Sequence, residues 1–88
     1  MSNKEDRIIL FNGQFYSLSP MEYGVFKMLI LNADEVVSRE KLLRDVWGYT
    51  DDVEIMTRSV DMCIQRLRNK IGAEHIESVY GVGYKMIL

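Results

Sequence analysis

The sequence is poor in the residues that most often carry chemistry. Its 88 residues hold one cysteine, Cys63, and one histidine, His75. A single cysteine makes no internal disulfide, so packing alone must hold the fold, which fits a reducing, cytoplasmic location. One histidine and one cysteine also exclude most zinc and nucleophilic constellations, which gather several such side chains. Cys63 falls among apolar residues at helical spacing and reads as core, the usual place of a free cysteine. His75 reads as a solvated residue in a turn. Long apolar runs are missing as well: the longest, residues 25–31, is broken by Lys27, so no segment is expected to span a membrane. The first six residues, Met1 to Asp6, lack the apolar core of a secretory signal and read as a flexible leader.

Net positive charge is lacking too. Eleven Lys and Arg face 13 Asp and Glu, a balance of −2 with a pI near 5.3. Affinity for duplex DNA rests on neutralising phosphates, so this chain is not one that coats nucleic acid indiscriminately. The charge is unevenly placed, however. Residues 56–72 carry Arg58, Arg66, Arg68 and Lys70 against Asp61 alone, while Asp51, Asp52 and Glu54 cluster just upstream. That acidic trio lacks the glycine and terminal glutamate of a calcium loop. Gly81-Val82-Gly83 joins two strand-like runs instead of opening a helix, so it is no phosphate-binding loop. No metal, no cofactor, no small-molecule substrate and no catalytic machinery is expected, and the chain does not read as an enzyme.

What is present is the pattern of one small α+β domain, with 48% hydrophobic and 27% charged residues. Residues 7–18 form two apolar runs around Asn12-Gly13, a pair that tolerates the positive φ of a tight hairpin turn. Ser19-Pro20-Met21-Glu22 is a capping box with proline at the first helical position, and Tyr23, Phe26, Leu29 and Ile30 then recur at helical spacing, predicting a helix over 19–31. Val36-Val37 is a short apolar step. Ser38 caps a second helix, 38–47, with Leu42, Leu43, Val46 and Trp47 as its buried stripe and Gly48 at its end. A loop follows over 48–56, then a third helix over 57–71 closed by Gly72. Residues 76–88 make a second hairpin around Tyr80-Gly81-Val82-Gly83. No repeats or linkers interrupt the order of hairpin, three helices, hairpin.

At 100° per residue, Val60, Cys63, Ile64, Leu67 and Ile71 share the inner side of the third helix. Arg58, Met62, Gln65, Arg66 and Asn69 share the outer side, with Asp61 and Arg68 nearer its edges. Arg can donate two bonds to guanine, Gln or Asn can pair with adenine, and Met can touch a thymine methyl. Taken alone, such a face is more often a solvated surface laced with salt bridges than a binding one.

The motifs around it narrow the choice. Arg58-Ser59-Val60-Asp61, the run Gln65 to Gly72, and Val79-Tyr80-Gly81-Val82-Gly83-Tyr84 together resemble the effector domain of OmpR/PhoB-type response regulators. Leu18 to Glu22, Val37 to Leu43, and Val46-Trp47-Gly48-Tyr49 match the same family in the right order. The resemblance covers roughly Leu18 to Met86 and implies a winged helix-turn-helix, with a short N-terminal β-hairpin, three helices and a C-terminal β-hairpin wing. It implies a transcriptional regulator that binds double-stranded DNA sequence-specifically, as the output domain of a two-component regulator or a stand-alone relative. Arg58 and Ser59 would meet phosphates; Met62, Gln65 and Arg66 would face base edges, with Asn69 on the same side. Arg68 would lie near backbone or base, Trp47 would donate to a phosphate or serve the core, and Ser78 and Tyr84 would touch the backbone from the wing. Residues 48–56, including Tyr49, Thr50, Asp51, Asp52, Val53 and Glu54, resemble the family's loop toward RNA polymerase. Two copies would bind a direct repeat side by side.

Three departures stand out. Gln65 replaces a frequent arginine, and Tyr80 replaces the wing arginine that can enter the minor groove, so weaker minor-groove readout is expected. The family places four strands before its first helix, whereas the 18 residues before Ser19 leave room for two at most, whether the chain begins inside the domain or the sheet is reduced in this member. The net acidity and uncharged wing tip keep one rival open, a winged-helix module that binds protein and has no DNA target.

Overall fold

The computed structural model describes residues 6–49 and 53–88. Most of the expected leader, and Thr50, Asp51 and Asp52 of the expected loop, lie outside the described residues.

Strands β1 (Arg7–Phe11) and β2 (Gln14–Leu18) pair antiparallel, with Arg7 opposite Leu18 and Phe11 opposite Gln14. That register leaves Asn12-Gly13 as a two-residue turn with φ of 51° and 79°, the positive pair a type I′ turn requires. Alternation sends Ile9, Phe11 and Leu18 into the core and leaves Ile8, Leu10 and Phe15 exposed. These are the two strands for which the sequence has room.

Helix α1 (Pro20–Leu31) starts on the expected capping box. The Glu22 amide donates to Ser19 Oγ at 3.3 Å, and the Ser19 amide donates to a Glu22 carboxylate oxygen at 3.0 Å. Two amides without intrahelical partners are thereby satisfied. The short apolar step after it is a strand, β3 (Val36–Ser38), whose three residues are too few for a visible alternation. Ser38 also caps α2 (Arg39–Leu42), its Oγ accepting the Lys41 amide at 3.0 Å.

The expected ten-residue second helix is not regular. After Leu42 the chain widens into a π turn, Leu43–Trp47, ended by Gly48 at φ 81°. Leu42 and Leu43 are both fully buried, while Val46 and Trp47 pack on the core from its margin. The third helix also differs from expectation: α3 (Val53–Ile71) begins four residues before Thr57, so Val53 and Glu54 belong to its first turn and not to a loop.

Beyond Gly72 a 3₁₀ turn, Ala73–His75, leads into β4 (Ile76–Val79) and β5 (Gly83–Met86). The wing is a three-stranded antiparallel sheet ordered β3-β5-β4. The reading of His75 as solvated is corrected. Its side chain is 21% exposed, its ring meets Phe11 edge-on at 5.0 Å between centroids, and Nε2 lies 3.1 Å from the Asn12 amide nitrogen. The N-terminal hairpin folds over the 3₁₀ turn, a contact 63 residues apart in sequence that no local pattern reports.

Three helices and two small antiparallel sheets thus form a winged helix. The inner stripe of α3, Val60, Cys63, Ile64, Leu67 and Ile71, is buried against α1, α2 and the π turn. No helix among the described residues is long and apolar enough to cross a membrane.

Candidate nucleic-acid interface

Because the inner stripe of α3 is consumed by the core, its remaining side chains have only one way to face. Arg58, Gln65, Arg66 and Asn69 are exposed, Met62 is 51% exposed, and Ser59 is half-buried. These six predicted residues therefore lie on one amphipathic helix with its polar side open. The wing stands beside it. Tyr80 and Val82 project from its tip, Tyr80 fully exposed, and Gly81 takes φ of 76° in the turn. Ser78 is exposed on β4. Trp47 sits elsewhere, half-buried at the end of the π turn and packed on the core. Tyr49 is half-buried just beyond it.

Two networks decide which cations of α3 are at liberty, and sequence reading missed both. In the first, Asp61 accepts from two neighbours. Arg39 Nη1 donates to its Oδ2 at 3.1 Å and the Tyr84 hydroxyl donates to its Oδ1 at 2.6 Å. Arg68 joins the same wall: Nε and Nη2 donate to the Ile76 carbonyl at 3.2 and 2.7 Å, Nη2 donates to Ser78 Oγ at 2.8 Å, and the guanidinium lies 5.6 Å from the Tyr84 ring centre. Charge-assisted bonds of this length are among the stronger ones. The start of α2, the middle of α3 and both wing strands are thereby locked together. Burial, then the hydrogen bond and charge of Asp61, push the Tyr84 phenol up to about 12.

The second network centres on Glu22, the buried charged residue of the described chain, at 3% exposure. Lys70 Nζ donates to its Oε1 at 2.7 Å and also to the Ser17 carbonyl at 2.9 Å. Arg66 Nε stands 3.4 Å from Oε2. Burial raises the carboxyl pKa, but the Lys70 and Ser19 hydrogen bonds and the charges of Lys70 and Arg66 outweigh it, and the net shift is downward. A charged group this deep is tolerable only when so paired. One signal did exist: Arg66 and Lys70 stand four apart, on one edge of α3, where a single carboxylate can serve both.

Cys63 lies under this edge, fully buried, and burial pushes its thiol up to about 11, so at neutral pH it stays a protonated, inert side chain. Among the described residues no group of three or more His, Cys, Asp or Glu side chains could hold a metal ion.

Comparison with known proteins agrees with this geometry. The family described as "Transcriptional regulatory protein, C terminal" matches residues 13–86. The transcriptional regulatory protein YclJ of Bacillus subtilis is 41% identical over 87 residues, which cover 94% of this chain and 37% of that protein. The response regulator DrrB, described as a Thermotoga maritima OmpR/PhoB homologue, superposes with a TM-score of 0.74 at 31% identity, over 89% of this chain and 36% of that one. The Klebsiella pneumoniae RstA DNA-binding domain, solved in complex with the RstA box, gives 0.78 at 28% identity, over 99% of this chain and 95% of that one. The chain spans little more than a third of the length of YclJ and DrrB.

Proposed function

The chain belongs to the family of C-terminal, DNA-binding winged-helix domains of OmpR/PhoB-type transcriptional regulators, and on that footing we propose how it reads a duplex. Helix α3 enters the major groove with its open side. Arg66 reads a base edge, Gln65, Met62 and Asn69 take adjoining positions, and Arg58 and Ser59 grip phosphates at the start of the exposed face. Trp47 serves the core first and offers its indole edge to a phosphate. Ser78, Tyr80 and Tyr84 belong to the wing that lies along the backbone. Arg68 contributes by bracing that wing, since its donors are turned toward Ile76 and Ser78.

The observation that carries this reading is the polar, cation-bearing side of α3, left uncovered by its own chain beside the wing. Two copies bind a direct repeat side by side, because one domain of this size offers a modest interface and gains affinity from a neighbour. In the whole regulator this domain is the cytoplasmic output half, and the segment from Tyr49 to Glu54 faces RNA polymerase. No catalytic step is part of the mechanism, which is equilibrium recognition.

The test is binding to a site selected from random DNA and to a scrambled site, across salt concentrations. Arg66→Ala is expected to cost ~1–3 kcal/mol on the selected site and little on the scrambled one. Arg58→Ala should weaken both alike and reduce the salt slope by about one. Equal losses for both variants on both DNAs would defeat the division of roles.

A further inference from the structure

We infer that Glu22, a residue of α1 with no access to DNA, sets the base preference of the domain by positioning Arg66. The inference rests on the reading that α3 meets base edges, and it deepens that reading by adding a residue from another helix.

The argument starts from what Arg66 would be without it. A long guanidinium side chain on an exposed helix face samples many rotamers, and each hydrogen bond to a base must restrain them. Here the guanidinium is drawn to one side, with Nε 3.4 Å from Glu22 Oε2, while the side chain as a whole remains 54% exposed. The anchor itself is rigid. Glu22 is 3% exposed and accepts the Ser19 amide at 3.0 Å, so burial and the capping box hold its carboxylate in place. The Glu22 carboxylate pairs with the Nε side of the guanidinium, and the bidentate bond to guanine O6 and N7 falls to the N–H groups that Glu22 and Cys63 leave open. The cluster also stays attractive to DNA, since one carboxylate faces two cations. Glu22 therefore aims Arg66 without neutralising the edge of α3.

Lys70 supplies the control. It shares the carboxylate and ties β2 to α3 through the Ser17 carbonyl, so its loss removes an ion pair of the same kind without touching the Arg66 contact. The probes are the duplex selected by the wild-type chain and its single base-pair variants. Glu22→Gln keeps an acceptor for the capping box and removes the charge. It should lower discrimination at the base pair read by Arg66 by about tenfold, leave the other positions and the scrambled site unchanged, and add nothing in an Arg66→Ala background. Lys70→Ala should lower Tm and keep discrimination.

Wild-type discrimination retained in Glu22→Gln, a uniform loss at all positions, tighter binding, additivity with Arg66→Ala, or the same effect from Lys70→Ala would each overturn the positioning role alone. A wild-type chain that fails to discriminate among sequences would overturn the underlying reading as well. Should Glu22→Gln fail to fold, nuclear magnetic relaxation of the arginine Nε–H groups in the wild-type protein decides the matter. Arg66 is expected to be as ordered as the backbone and Arg58 mobile; equal mobility would sink the inference.

Discussion

The Tyr84 hydroxyl, on the second wing strand, donates a 2.6 Å hydrogen bond to Oδ1 of Asp61 on α3, so the wing is fastened to the helix it flanks. Removing the hydroxyl in Tyr84→Phe leaves Asp61 with Arg39 as its partner at 3.1 Å, so the carboxylate is not orphaned. The expected cost is about 1.5–3 kcal/mol, the net worth of one hydrogen bond to a charged acceptor, read by urea unfolding. Burial of the phenol, and then this bond, give the wild type an alkaline limit. Below pH 10 both folded and unfolded chains keep the Tyr84 proton. Between 10 and about 12 the unfolded chain releases it first, so stability falls as pH rises. Cys63, pushed up from 9 to about 11 by burial, adds a fall that begins lower. Tyr84→Phe should erase the upper part of this slope and keep the lower; an unchanged profile would refute the assignment.

Arg68 is expected to behave unlike Arg66 although both are cations of the same helix. Its Nε and Nη2 are engaged by Ile76 and Ser78, and its guanidinium lies against Tyr84. Arg68→Ala should lower stability by roughly 1–3 kcal/mol, because the Ile76 carbonyl loses a charged donor. Base preference at each position of a selected site should survive in the folded fraction. Selection from random DNA by the variant measures it, and a changed consensus would return Arg68 to the reading side.

The difference between these two arginines marks the limit of what the chain reveals in one dimension. Capping at Ser19 and the Asn12-Gly13 turn are local events, written in four consecutive residues or fewer, and the structure forms both. The polar side of α3 follows from its apolar side, so periodicity was enough to find it. Periodicity does not say which cation on that side meets a carboxylate from another element. Glu22 lies 44 positions before Arg66, and Asp61 is joined to Tyr84 across 23. Such pairings exist only after the helices and wing have packed. The same holds for β3, whose three residues become a strand because β5 arrives beside them.

Gly83 shows how closely that arrival is fitted. It is buried at the start of β5, opposite Ser38 of β3. A Cβ placed there would overlap the Val37 carbonyl oxygen and stand 2.8 Å from Ser38 Cα. Neither is the end of a flexible side chain, so the strands must separate or the wing must tilt. Gly83→Ala is expected to destabilise by roughly 3 kcal/mol or more, at the upper end for overpacking. Gly13→Ala has open space around it and fails only on its φ of 79°, with an expected cost of about 1 kcal/mol. Thermal unfolding of the two variants side by side checks the order; a Gly83 variant as stable as the Gly13 one would contradict the packing.

The wing tip offers the converse case, a gain. Tyr80 is fully exposed and sits in the turn between β4 and β5, where it contributes no charge toward a duplex. Tyr80→Arg should leave stability within about 0.5 kcal/mol, as surface substitutions without buried partners do. If the wing lies along the backbone, one added cation neutralises one more phosphate, and the salt slope of binding should steepen by about 0.9. Affinity should then rise on selected and scrambled duplexes alike at low salt, and the advantage should shrink as salt increases. A gain confined to the selected duplex would mean that Arg at this position reads sequence, most simply from a narrow minor groove. No change in slope on either duplex would place the wing away from the phosphates, and with it Ser78 and Tyr84.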